Sequence, residues 1–104
     1  MAHVGMTSGD RKPLTPEFMQ RIEERDRIYL STISNCDKHA LFKHIAEDRD
    51  QRRICGFPSM YTVLDVFDRL NLKYKAELYE YRQVVDYQRD CAVTFAGMGL
   101  YQTA

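Results

Sequence analysis

The chain has no net charge: 15 lysines and arginines stand against 15 aspartates and glutamates among 104 residues. Without a global field, non-specific attraction to nucleic acid or to an anionic membrane has little to act through. Cysteine is sparse. Three widely spaced residues, Cys36, Cys55 and Cys91, are an odd number, make no disulfide framework, and fit reduced thiols inside a cell. Long apolar runs are missing too. No stretch approaches the ~20 residues of a membrane span, and the first residues lack the apolar core of a secretory signal. These absences lead us to expect a soluble, cytoplasmic protein. Glycine is also scarce, with 5 residues, and no glycine-rich phosphate loop, nucleophile elbow or metalloprotease helix motif occurs.

What is present is an ordinary globular balance, 44% apolar and 29% charged residues, in a chain long enough for one domain with its own core. Residues 73–95 run without glycine or proline. On a helical wheel Tyr74, Leu78, Tyr81, Val84, Val85, Gln88, Cys91, Ala92 and Phe95 gather on one side, with Lys75, Glu80, Arg82, Asp86 and Arg89 opposite. The spacing predicts one continuous helix of roughly 33 Å.

Three shorter helices precede it. Thr15, Pro16 and Glu17 read as an N-cap, a proline at the first helical position and an acid in the first turn. That helix buries Phe18, Met19, Ile22, Tyr29, Leu30 and Ile33 and stops near Ser34 and Asn35. Asp37 caps a second helix, apolar at Leu41, Phe42 and Ile45 and then without an apolar face from Glu47 to Arg53, closed by Gly56 and Pro58. Ser59 caps a third, with Met60, Val63, Leu64, Phe67 and Leu70 on its buried side, and Asn71 suits the left-handed turn that ends it. The expected fold is therefore all-α: an irregular four-helix bundle with a long C-terminal helix that forms an αα-hairpin with helix three. Residues 1–14 read as a flexible segment, 15–96 as one helical domain, and 97–104 as a flexible apolar tail.

No constellation announces catalysis. Cys36, His39 and His44 are the one ligand-like cluster, but histidines five apart point about 140° away from each other around a helix. Asp65 with Asp68, and Asp86 with Asp90, lie close to Arg69, Arg82 and Arg89, which makes solvated ion pairs the simpler account. No metal and no cofactor is expected, and the chain reads as a non-enzymatic protein.

A surplus of interface-prone side chains remains, 7 tyrosines and 5 methionines. The leading expectation is a small interaction module, a regulator or accessory subunit, that buries a helix face against a partner protein or a second copy of itself. Tyr79, Tyr87, Met98, Leu100 and Tyr101 are its contact candidates, with Arg49, Arg52 and Arg53 as a charged rim. The alternative is a DNA-binding helix-turn-helix built from helices two and three around Gly56, Phe57 and Pro58. Its groove-facing side would offer Asp65 and Asp68 against Arg69, a poor match to phosphate, so nucleic acid ranks second.

Overall fold

The computed structural model describes residues 1–5 and 13–103. Its elements follow the order β1 (His3–Gly5), α1 (Pro16–Ser34), α2 (Lys38–Glu47), α3 (Phe57–Arg69), β2 (Tyr74–Asp86) and β3 (Cys91–Gln102). The fold is mixed, with helices packed on a three-stranded antiparallel sheet of order β1-β3-β2. This overturns the all-α four-helix bundle.

The error lies in residues 73–95. That stretch is a strand, a turn and the start of a second strand, so both the long C-terminal helix and the αα-hairpin with helix three are absent. Its apolar residues are dense enough to satisfy a period of 3.6 and a period of 2 together. Tyrosine and valine suit a pleated, half-buried surface, but what settles the matter is the pairing of β2 with β3 and of β3 with β1. The reversal between the strands is built by Asp86, whose Oδ1 accepts from the backbone N–H groups of Gln88 at 3.0 Å and Arg89 at 3.1 Å. Asp90 closes it with φ of 49°. From there β3 runs back along β2, from Asp86↔Cys91 to Tyr74↔Gln102, with an irregularity between Leu78 and Glu80 that makes Tyr79 the extra residue of a bulge. The sequence expected to form an apolar tail supplies Gly97–Gln102 to this ladder.

The helix starts follow local chemistry. Thr15 accepts from the Phe18 N–H at 3.1 Å, with Pro16 in the first turn. Asp37 accepts from the Ala40 N–H at 3.0 Å. Ser59 is not a cap: α3 begins at Phe57, with Gly56 as the flanking residue. Asn71 takes the left-handed conformation, φ 55°, after α3, as its short polar side chain allows.

Helix two is shorter than its charge run suggested. After Glu47 the chain turns repeatedly, with Arg49, Asp50 and Arg53 at φ of 55°, 58° and 50°, and Asp50 Oδ1 accepts from the Ile54 N–H at 3.0 Å. Instead of projecting into solvent, this segment folds back and buries Arg52 and Ile54. Residues 48–56, not a three-residue turn, therefore separate α2 from α3.

Two apolar clusters fill the space between helices and sheet. Ala2, Val4, Leu14, Met19, Ile22 and Ala92 form one; Tyr29, Leu30, Ile33, Leu41, Ile54 and Leu64 form the other. Ala2, Val4 and Leu14 come from the segment read as flexible; residues 6–12 of that segment, and Ala104 of the expected tail, lie outside the described residues. Gly5, at φ 112°, meets Asp90 so closely that a Cβ there would stand 2.2 Å from the Asp90 carbonyl oxygen, so only glycine lets β1 end against the β2–β3 turn. The molecule measures 49 × 26 × 18 Å, and its radius of gyration of 14.7 Å exceeds the ~13 Å of a compact chain of about 100 residues. It is thin because the helices cover one face of the sheet and leave the other open.

Candidate functional site

The interior carries a closed polar network. Asp26 is wholly buried and accepts three hydrogen bonds. Its Oδ1 takes a hydrogen bond from Arg52 at 2.5 Å, and its Oδ2 takes one from the Tyr81 hydroxyl at 2.6 Å and one from the Thr94 hydroxyl at 2.7 Å. Thr94 in turn accepts from the Ala2 N–H at 2.7 Å. Gln83 Nε2 donates to Tyr81 at 3.0 Å and to the Met19 carbonyl at 2.9 Å. The network thus ties α1, β1, β2, β3 and the 48–56 segment to one carboxylate. Arg52 also donates to His44 Nε2, which leaves the imidazole neutral with its proton on Nδ1. Arg52 Nε lies buried without a hydrogen bond, 3.7 Å from the nearest Asp48 oxygen.

Burial and these charges set the protonation states. His44 is pushed down from 6.5 to about 4, first by burial and then by Arg52 and Arg25, against the weaker opposing pull of Asp48 and Glu47. Burial raises the Tyr29 phenol to about 12, and burial together with Asp26 holds Tyr81 still further from ionisation. The sign for stability follows. The unfolded chain protonates His44 as pH falls through 6.5 while the folded one resists until about 4. Stability is therefore complete above the unfolded value and is lost progressively across that window. Urea midpoints measured from pH 7.5 to 4.5 should fall for the wild type. For His44→Gln, which keeps an acceptor toward Arg52 without a titrating ring, the slope over this window should flatten; an unchanged slope would assign the acid sensitivity to other groups.

The open surfaces are of a different kind. Along β3, Cys91, Val93, Phe95, Gly97, Gly99 and Tyr101 alternate outward, opposite Lys75, Glu77, Arg82 and Val84 of β2. Val84, Val93, Phe95, Tyr79 and Tyr101 are all exposed, Val84 at 63% and Phe95 at 45%. The Tyr79 and Tyr101 hydroxyls lie over Gly99, within 3 Å of where its Cβ would be. Beside the sheet, an apolar cavity of about 350 Å³ opens between the inner side chains of β3 and the second apolar cluster, with Met1, Met60 and Cys55 around it.

The candidate contact residues are thus dispersed. Tyr79 and Tyr101 share the outer face, and Tyr87 is exposed in the β2–β3 turn. Met98 and Leu100 are half-buried on the inner face, where they line the cavity. Arg49 and Arg53 stand in the 48–56 turns, Arg53 donating to the carbonyls of Gln51 at 3.2 Å and His3 at 3.5 Å. Arg52 is no rim contact: its side chain, 4% exposed, is the buried partner of Asp26. His39 is exposed and His44 buried. Asp26 went unnoticed in the sequence, yet a signal existed. It sits on the buried side of α1, four residues after Ile22 and three before Tyr29, where a solvated aspartate has no place.

Among the described residues, no three histidine, cysteine or acidic side chains converge on a metal-sized site, and no helix is long and apolar enough to cross a membrane. A family model described as Memo-like protein matches residues 1–99. No curated protein and no solved structure matches the chain.

Proposed function

The chain belongs to the Memo-like protein family, and from that premise we propose that it is a non-enzymatic interaction module, a regulator or accessory subunit that binds another protein through its sheet. The carrying observation is the open outer face: Val84, Val93, Phe95, Tyr79 and Tyr101 stand exposed on one side of a two-layer fold. Exposed apolar area of this kind on an otherwise charged surface is what a partner layer removes from water. The helix face expected from sequence is replaced here by a sheet face, with tyrosines suited to a contact that is apolar in the ring and polar at the tip. His44 and Tyr81, whose protonation equilibria are displaced, sit in the buried Asp26–Arg52 network and serve cohesion, while the cavity walls are mostly apolar.

The test uses Val84→Glu and Val93→Glu, which place charge on the outer face at positions 63% and 41% exposed. Each should shift unfolding free energy by no more than about 0.5 kcal/mol. Capture with tagged wild-type and variant chains, quantified side by side, should recover partners with the wild type that both variants lose. Light scattering on the purified chains separates a second copy from a different protein. Identical recovery by wild type and variants of equal stability would overturn the outer face as the contact surface.

A further inference from the structure

Between α2 and α3 the chain holds a costly backbone form. Arg49, Asp50 and Arg53 are left-handed, at φ of 55°, 58° and 50°, a region that a residue with a Cβ occupies against steric repulsion. The segment's own hydrogen bonds are local turns, such as Arg53 N–H to the Asp50 carbonyl at 2.9 Å and Asp50 N–H to the Ile45 carbonyl at 3.0 Å. Its hold on the rest of the molecule comes from two buried side chains, Arg52 and Ile54, and from an exchange with β1. There the His3 N–H donates to the Arg52 carbonyl at 2.6 Å and Arg53 donates to the His3 carbonyl at 3.5 Å. Residues 48–56 thus form a strap, bent against its preference and pinned from inside by one guanidinium and one isoleucine.

Arg52 stands between two acceptors. It donates through Nη1 to Asp26 Oδ1 at 2.5 Å and through Nη2 to His44 Nε2, while its Nε lies buried without a hydrogen bond. His44 accepts only while that nitrogen is unprotonated. A proton there removes the acceptor and brings two cations together away from water, where little screens their repulsion. The other groups around His44 do not offset it. From α1, Arg25 donates to the His44 carbonyl at 3.5 Å, Tyr29 lays a neutral ring 5.9 Å away, and Asp26 is already bound to Arg52. From α2, Glu47 is engaged by Arg25 at 3.2 Å; from the strap, Asp48 lies 3.7 Å from Arg52. From the sheet, Tyr81 and Thr94 meet this group through Asp26, to which both donate. Burial, Arg52 and Arg25 together hold the imidazole down at about 4.

We infer that residues 48–56 are an acid-released strap: a proton on His44 expels Arg52, and Ile54 with it, from the interior while the helices and the β2–β3 pair stay folded. Charge balance permits the exchange. Asp26 and His44 contact the same guanidinium, so once Arg52 withdraws, the imidazolium is the cation left beside the buried carboxylate. Tyr81 and Thr94 continue to donate to it. Arg52 gains water, and the left-handed residues relax. The open form binds a proton that the closed form refuses, so acid shifts the balance toward the open form. Release uncovers the side of the second apolar cluster that Ile54 closes.

The test is amide hydrogen exchange of the full chain in low urea at pH 7.5 and pH 5, read by NMR, with each rate referred to an unstructured peptide at the same pH. The Arg53, Ile54 and His3 amides donate to the Asp50 carbonyl, the Asp50 carboxylate and the Arg52 carbonyl. They should exchange through an opening that hardly depends on urea, since it exposes little surface, and should lose at least about tenfold in protection from pH 7.5 to pH 5. Amides of the β2–β3 pair should exchange only through a steeply urea-dependent opening and stay better protected at both pH values. His44→Gln should keep the strap opening and lose its pH dependence. Should that variant fold poorly, the wild type decides the matter: imidazole nitrogen shifts followed down to pH 4 should show His44 gaining its proton in step with loss of strap protection. Strap amides that share the urea dependence of the β2–β3 pair, strap protection unchanged by pH, a wild-type pH response in His44→Gln, or an imidazolium that forms under a closed strap would each overturn the inference.

Discussion

Asp26→Ala should destabilise the protein by about 3–5 kcal/mol, the cost of removing one partner from a buried ion pair. The expectation follows from what the alanine strands. Arg52, 4% exposed, keeps its charge in the interior with only His44 and the more distant Asp48 beside it, and the Tyr81 and Thr94 hydroxyls lose their common acceptor. Each unsatisfied buried donor adds about 1–3 kcal/mol of lost solvation. Since a domain of this size has about 5–15 kcal/mol in all, the variant should melt early or fail to fold at 37 °C. A double-mutant cycle makes the measurement specific. Arg52→Ala alone should also be severe, because it leaves the Asp26 carboxylate buried, whereas the double variant should be less damaged than the sum of the two, since neither charge remains unpaired. Urea unfolding of the four proteins gives the coupling. Additive losses, or an Asp26→Ala cost below about 1 kcal/mol, would mean that water reaches the pair and that the network does not hold the sheet to α1.

Leu41 and Phe42, adjacent on α2, should respond to truncation with losses of very different size. Leu41 is 0% exposed and belongs to the second apolar cluster with Leu64 and Ile54, while Phe42 is 57% exposed and stacks at the edge of the Phe57 and Tyr61 rings, at 6.2 and 6.3 Å between centroids. Leu41→Ala removes buried methyl groups and leaves a void that rigid neighbours on α1 and α3 fill only in part, which costs about 2–5 kcal/mol. Phe42→Ala loses edge contacts between half-solvated rings, about 0.5–1.5 kcal/mol. Thermal and urea unfolding of the two variants under one set of conditions should separate them clearly. Equal losses would show that the Phe42, Phe57 and Tyr61 cluster is buried in solution, by a partner copy or by movement of α2.

The candidate surfaces were legible only in part. Tyr79 and Tyr101 stood out as interface-prone residues, and the structure brings their hydroxyls together over Gly99. Arg49, Arg52 and Arg53 read as one cluster, yet the left-handed turns at Arg49, Asp50 and Arg53 separate them and drive Arg52 inward. Composition cannot reveal that, because what selects Arg52 is Asp26, 26 residues earlier in the chain.

By itself the sequence determined the local punctuation of the chain. The Thr15 and Asp37 caps, Pro16 in the first turn of α1, the stop at Asn35 and the left-handed Asn71 all rest on bonds or backbone preferences within a few residues. Tertiary structure alone decided the form of residues 73–95. A strand satisfies its backbone groups on a neighbour, not on itself, so β2 and β3 become favourable only when they pair with each other and lay Tyr81, Gln83, Ala92 and Thr94 against α1 and β1. The same non-local pairing created the buried carboxylate site and the open face, because each depends on which strand lies next to which.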